Sequence, residues 1–299
     1  MIRIGVDLGG TKIEVIALDA AGREVLRDRV PTPQGDYHGT ITCIRDLVTR
    51  IERQLGAQAT VGIGTPGAVS LANGRIKNAN STWLNGGPFL ADVNRALSRT
   101  VRVANDANCF ALSEAVDGAG VGHRMVFGVI LGTGVGGGIV LDHRRWIGGN
   151  AIAGEWGHND LPRRTDEDLP SPACYCGRLG CIETYLSGPG LAADHLRRTS
   201  QAIDARAVAM RARSGDGEAA MTMDRFHERL AKALASVINV LDPDVIVIGG
   251  GLSQIDGIYR EVPARLSRYV FSDVVTTPVV KNRHGDSSGV RGAAWLWPA

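Results

Sequence analysis

The chain has 299 residues, and its 33 Lys and Arg against 31 Asp and Glu leave a formal charge of +2. That balance argues against a nucleic-acid partner, and 44% hydrophobic with 21% charged residues is a globular composition, not a disordered one. The uncharged, apolar stretch 125–141 is glycine-rich and too short for a membrane span, so a cytoplasmic protein of about two domains is expected.

Ile2, Ile4, Val6 and Leu8 alternate with Arg3, Gly5 and Asp7, which is a strand pattern. The turn Gly9-Gly10-Thr11 joins it to a second strand at 13–18, making a hairpin over 2–18. A third strand covers 23–30 and ends at Pro31 and Pro33. The period then changes: Ile41, Ile44, Leu47, Val48, Ile51 and Leu55 lie on one face of a helix over 38–55, with Gly56 as its stop. A strand at 61–64 runs into the turn Gly64-Thr65-Pro66-Gly67. A helix at 88–97, a strand at 101–104 and a helix at 107–115 complete the order βββαβαβα.

A shift of 123 residues sets 4–19 against 127–142 with seven of sixteen positions identical, Gly9/Gly132 and Asp19/Asp142 among them. The pattern reads as a duplicated domain with one glycine-turn hairpin in each copy. Ile130 stands where Asp7 would recur, so the copies are not chemically equivalent. Further on, 224–241 has helical spacing before Pro243. The apolar run 245–248 reads as a strand covered on both faces, and Gly249-Gly250-Gly251 leads from it towards another helix. The polar, proline-rich stretch 161–173 reads as a loop, and 199–222 is too weakly patterned to assign.

Three constellations carry chemistry. Glycine turns let backbone N–H groups approach a phosphate, Thr11 adds a hydroxyl, and Asp7 at a strand end could hold Mg²⁺. No turn matches GxxxxGK[ST], which excludes a P-loop, and the first joins two strands, which argues against a dinucleotide-binding fingerprint. In Asn105-Asp106-Ala107-Asn108, Asp106 lies between a strand and a helix, a position that serves either catalysis or helix capping. His158 with Cys174, Cys176 and Cys181 makes a Cys₃His set suited to structural zinc, with clustered free thiols as the alternative. Cys43 and Cys109, within helices, are expected to be buried packing residues.

DLGGTK at 7–12, NDAN at 105–108, LGTGVGGG at 131–138, GEWGH at 154–158, CYCGRLGCIE at 174–183 and IGGGL at 248–252 together resemble the ROK sugar kinases. The resemblance covers essentially the whole chain. Within that group, KNANSTWLNG at 77–86 and HGDSSGVRGAAWLW at 284–297 look most like the bacterial fructokinases that also accept mannose. The resemblance implies an α/β fold of duplicated actin-like (ribonuclease-H-like) type, with two lobes around a cleft: 1–115 plus 285–299, and 116–284 with the zinc insertion.

It also implies an ATP-dependent kinase for the 6-hydroxyl of a hexose, with fructose expected first and N-acetylglucosamine or glucose as alternatives. Asp106 would be the general base. Gly9, Gly10, Thr11, Lys12, Thr133 and Gly134 would face the phosphates, Asp7 would organise Mg²⁺, and Gly249, Gly250, Gly251 and Leu252 would border the adenosine. Asn105, Asp106, Glu155, His158 and Glu183 would ring the sugar, with Asn80 and Gly64, Thr65, Pro66 and Gly67 on the opposite wall. His158 would use one ring nitrogen for zinc and the other for sugar. A homodimer is the expected assembly. The repressor branch of the family needs a DNA-binding segment before the first hairpin, which is not expected here. A filament or chaperone ATPase would lack the NDAN element and the zinc cluster.

Overall fold

The computed structural model describes residues 1–79 and 81–298. Strands β1 (Arg3–Leu8), β2 (Lys12–Leu18) and β3 (Glu24–Pro31) run antiparallel and are followed by helix α1 (Tyr37–Leu55). Asp36 caps α1 by accepting from the Gly39 N–H at 2.8 Å, and Gly56 ends it at φ +63°, a conformation natural to glycine. Next come β4 (Thr60–Thr65), a small hairpin of β5 (Ala68–Val69) and β6 (Ile76–Lys77), α2 (Phe89–Leu97), β7 (Arg102–Asn105) and α3 (Asp106–Val116). The second half holds β8 (Met125–Leu131), β9 (Val135–Leu141), β10 (Arg144–Trp146), α4 (Glu183–Leu186), α5 (Gly188–Thr199), α6 (Ala205–Arg213) and α7 (Gly217–Leu241). It closes with β11 (Val245–Gly249), α8 (Gly257–Glu261), α9 (Pro263–Leu266), β12 (Val279–Lys281) and α10 (Ser288–Ala294).

The two main sheets repeat one topology, β3-β2-β1-β4-β7 and β10-β9-β8-β11-β12. In each, the fourth and fifth strands run parallel to the first. The 123-residue shift carries the end of β1 at Leu8 onto the end of β8 at Leu131, and it carries Lys12–Leu18 onto Val135–Leu141. The internal repeat is therefore a structural one.

The chain divides into two compact units: Met1–Val121 with Gly138–Ala153 and Arg283–Ala299, and Gly122–Gly137 with Gly154–Asn282. The expected bounds differ, chiefly in leaving 138–153 with the larger lobe. Gly138 explains this, since a Cβ there would lie 2.7 Å from the Ala107 oxygen, and Arg145 donates to the Val103 oxygen at 3.1 Å. The first core packs β1, β2 and β4 against α1 through Ile4, Val6, Val15, Ile44, Val48 and Ile63. On this sheet α10 sits almost in backbone contact. A Cβ at Gly5 would be 2.1 Å from the Val290 oxygen, and one at Gly62 would be 1.8 Å from the Ala293 oxygen.

Several elements differ from the sequence expectation, the small β5–β6 hairpin inside the expected βββαβαβα order among them. Helix α7 starts at Gly217, and α6 occupies part of the unassigned stretch, because small and polar residues such as Ala219 and Thr222 form their buried faces. Strand β10 was not anticipated. The helix expected directly after Gly251 is a 3-10 turn, Gly251–Gln254, with α8 beyond it. The stretch 161–173 is a loop but for one 3-10 turn at Asp166–Asp168, and buried Arg229 fixes it by donating to Asp168 Oδ1 at 2.7 Å. Cys109 is buried, whereas Cys43 is half-buried at the core's edge. Among the described residues no helix is long and apolar enough to cross a membrane.

Candidate active site

In the first unit, the Gly9–Lys12 turn closes through the Gly9 N–H donating to the Lys12 oxygen at 3.0 Å. A Cβ at Gly9 would lie 2.9 Å from that same oxygen, so the turn requires glycine there. Thr32, not anticipated from the sequence, braces it. Its hydroxyl donates to the Gly9 oxygen at 2.7 Å and its N–H to the Thr11 oxygen at 3.0 Å. Buried Glu14 is a second unanticipated residue. Standing directly opposite Asp7 in the β1–β2 register, it pairs with Arg27, with Arg29 at 2.7 Å and with Lys12 at 3.6 Å.

Asp7, half-buried at the end of β1, titrates at about 7. Burial raises it first, then the negative charges of Asp106 and Glu14, while Lys12 opposes them. Asp7 is a hard carboxylate near the strand end that leads into the glycine turn, and such an oxygen donor fits Mg²⁺. Asn105, not Asp106, caps α3: its Oδ1 accepts from the Asn108 N–H at 2.9 Å. Asp106 is the exposed first helical residue. Its Oδ1 accepts from the Ala107 N–H at 2.8 Å, and crowding by surrounding protein raises its pKa against that bond. Of the other expected wall, Thr65 is buried and donates to the Ala104 oxygen at 3.4 Å. Gly67, at φ +86°, packs so closely on Lys77 that a Cβ would meet its oxygen at 2.5 Å, and Pro66 lies between them. Asn80 falls outside the described residues.

In the second unit, Thr133 is exposed at the tip of the β8–β9 turn, which closes through the Gly132 N–H donating to the Gly134 oxygen at 2.9 Å. Gly250, at φ +80°, lies on the end of β8; a Cβ there would be 2.4 Å from the Leu131 oxygen. A groove of about 1760 Å³ joins the second and third glycine turns, lined among others by Thr133, Gly188, Met223, His227, Gly251 and Leu252. Gly249 is buried at the end of β11. Glu155 is exposed just before His158, whereas Glu183 reaches the second glycine turn, with Oε2 accepting from the Val135 N–H at 2.8 Å.

The Cys₃His set does assemble. One donor atom from each of His158, Cys174, Cys176 and Cys181 lies within 4.8 Å of all the others. The Cys176 and Cys181 sulfurs are 3.6 Å apart, and His158 Nδ1 is 3.6 Å from Cys174 Sγ. Those separations are far beyond a disulfide bond. They match the edges of about 3.8 Å implied by tetrahedral zinc with bonds of about 2.3 Å. Nδ1 is thus the metal-facing nitrogen, and Nε2 meets the Tyr175 hydroxyl at 3.0 Å. The Arg178 backbone N–H draws the Cys176 thiol down to about 7, a form ready to ligate, whereas burial pushes Cys181 up to about 12.

Two sheets of one strand order, each opening on a glycine-turn hairpin, define the duplicated actin-like ATPase fold. A model of the ROK family matches residues 3–299, and the chain belongs to that family. It is 41% identical over 296 residues to an N-acetyl-D-glucosamine kinase of Pectobacterium atrosepticum, covering 98% of this chain and 97% of the relative. A kinase of the same name from Salmonella gallinarum is 40% identical over 296 residues, covering 98% of each. Among solved structures, the ROK hexokinase of Thermus thermophilus superposes with a TM-score of 0.88 at 31% identity, covering 99% of this chain and 97% of that one. A ROK glucokinase of Streptomyces griseus, solved with glucose and AMPPNP, gives 0.77 at 28% identity, covering 99% of both.

Proposed function

We propose that the protein is an ATP-dependent hexose kinase that phosphorylates the 6-hydroxyl of N-acetyl-D-glucosamine. The observation that carries the kinase reading is the pair Asp7 and Asp106: one carboxylate at a phosphate-type glycine turn, the other exposed at a helix start, whose negative charge helps to raise the Asp7 pKa. The sugar assignment is supported by the names of the curated relatives. Fructose rests on the resemblance of 77–86 and 284–297 alone. The second of these segments forms α10 and the turn before it, and its Gly292 serves close packing on α3, a requirement of the fold rather than of one sugar.

Asp106 accepts the proton of the sugar hydroxyl as that oxygen attacks the γ-phosphorus. Crowding by surrounding protein raises its pKa above that of a free carboxylate, which makes it a stronger base. Mg²⁺, when bound by Asp7, neutralises phosphate charge. Gly9, Gly10, Thr11 and Lys12 form the phosphate-type turn of the first unit, Thr133 and Gly134 belong to that of the second, and Gly249–Leu252 of the second unit would border the adenosine. In the first unit Asn105 and Gly64–Gly67 are the proposed sugar-contacting residues, with Asn80 outside the described residues; in the second they are Glu155, Glu183 and His158, whose Nε2 would have to exchange the Tyr175 hydroxyl for a sugar hydroxyl. His158, Cys174, Cys176 and Cys181 would hold zinc as a structural ion, which would fix the His158 ring.

Coupled ADP release over N-acetylglucosamine, glucose, fructose and mannose tests both steps. The highest kcat/KM is expected with N-acetylglucosamine. A clear preference for fructose would replace the sugar and keep the kinase, and no ADP release with any hexose would overturn the kinase reading.

A further inference from the structure

The second glycine turn is gripped from two sides by the segments that carry the metal ligands. On one side, Trp156 Nε1 donates to the Gly136 oxygen at 2.9 Å. Gly157 lies so close to β9 that a Cβ would be 2.2 Å from the Val135 oxygen. On the other side, the Gly188 N–H donates to the Gly132 oxygen at 2.7 Å, and Glu183 Oε2 takes the Val135 N–H. Gly134 leaves room for that carboxylate, since a Cβ there would be 2.6 Å from Oε2. The two gripping segments are themselves joined: Asp160 bridges Cys181, and the Ile182 N–H donates to the Asn159 oxygen at 2.8 Å. His158 and Cys181, one on each segment, contribute two of the four ligand atoms.

From this arrangement we infer that the metal knot is a brace for the second phosphate turn, and that Glu183 is a positioning residue for nucleotide binding as well as a sugar contact. The inference rests on the kinase reading for the identity of the ligand at that turn. A carboxylate accepting a backbone N–H is a strong bond, and removing it leaves a buried strand-end donor without its charged partner. The knot would thus support the turn through the Trp156, Gly188 and Glu183 contacts, with none of its own ligands reaching the phosphates.

The test compares Glu183→Ala with Glu183→Gln, whose amide oxygen still accepts from Val135. Two quantities are read in zinc-loaded protein without sugar: amide hydrogen exchange over 131–137 in the absence of ligand, and the Kd for AMPPNP. Glu183→Ala is expected to speed exchange and weaken AMPPNP, each about tenfold, while Glu183→Gln stays within about threefold on both. Chelating the zinc from wild type is expected to speed exchange over the same residues. Gly134→Ala, which pushes the carboxylate off the turn without altering α4, should reproduce the exchange effect and decides the matter if Glu183→Ala does not fold. Exchange and AMPPNP affinity left at wild-type values by Glu183→Ala would overturn the brace alone. A wild type that binds no AMPPNP would overturn the nucleotide role together with the kinase reading.

Discussion

Asp7→Asn is expected to make the metal-free protein more stable at pH 8 while abolishing its response to Mg²⁺. An ordinary aspartate titrates near 3.8, and Asp7 does so at about 7. The native state therefore holds this proton more tightly than the unfolded chain. The stability that proton contributes is complete below pH 3.8 and is lost as the pH rises through 7. At about 1.36 kcal/mol per pH unit, the ionised carboxylate costs the metal-free fold about 4 kcal/mol at pH 8. The asparagine variant escapes that cost, because an amide fits the same space without charge. Urea unfolding in EDTA at pH 4 and at pH 8 measures it: the two proteins should agree at the lower pH and separate by several kcal/mol at the higher. Mg²⁺ with a nucleotide should recover wild type and not the variant, since the bound cation removes the repulsion between Asp7 and Asp106. A variant no more stable than wild type at pH 8, or an advantage that does not change with pH, would refute the assignment of stored charge to this carboxylate.

Asp106→Asn should lower kcat about 10²-fold or more while leaving the sugar KM within a few-fold, as steady-state kinetics will show. Turnover within tenfold of wild type would remove Asp106 as the base. Metal analysis should find about one zinc per chain, lost in Cys181→Ser. An unchanged metal content in that variant would exclude the cluster as the ligand set. Gly292→Ala should cost more than about 3 kcal/mol or prevent folding, because its Cβ would lie 1.6 Å from the Cys109 oxygen of α3. A normal urea midpoint would mean that α10 can withdraw from α3 freely.

The parts of this molecule that announce themselves in sequence are those in which one residue type answers one local demand. The strand alternation of 2–8, the apolar stripe of 38–55 and the glycine that ends it all translate directly into β1, α1 and the left-handed Gly56. The duplicated hairpin does so to the residue, because its turn length and glycine positions leave no other register. The metal set is legible because three cysteines and a histidine have few alternatives. What stayed hidden depends on partners distant in the chain. Thr32 looks like any threonine at a strand end until the β2–β3 register places its hydroxyl on Gly9. Glu14 reads as a solvated strand residue until Arg27 and Arg29 arrive from β3 to hold it buried. Helix α6 and the start of α7 bury alanine, threonine and single valines, which carry too little hydrophobic contrast to mark a face. Glu183 shows the same limit most clearly: its type and its place after Cys181 point to a site, but only the fold reveals which atom it serves. Thr32 and Glu183 each act on a backbone group of a glycine turn, and Glu14 stands opposite the carboxylate beside one. The turns themselves are legible because glycine is irreplaceable there; their supports are not, because any hydroxyl or carboxylate brought to the right place by the fold would do.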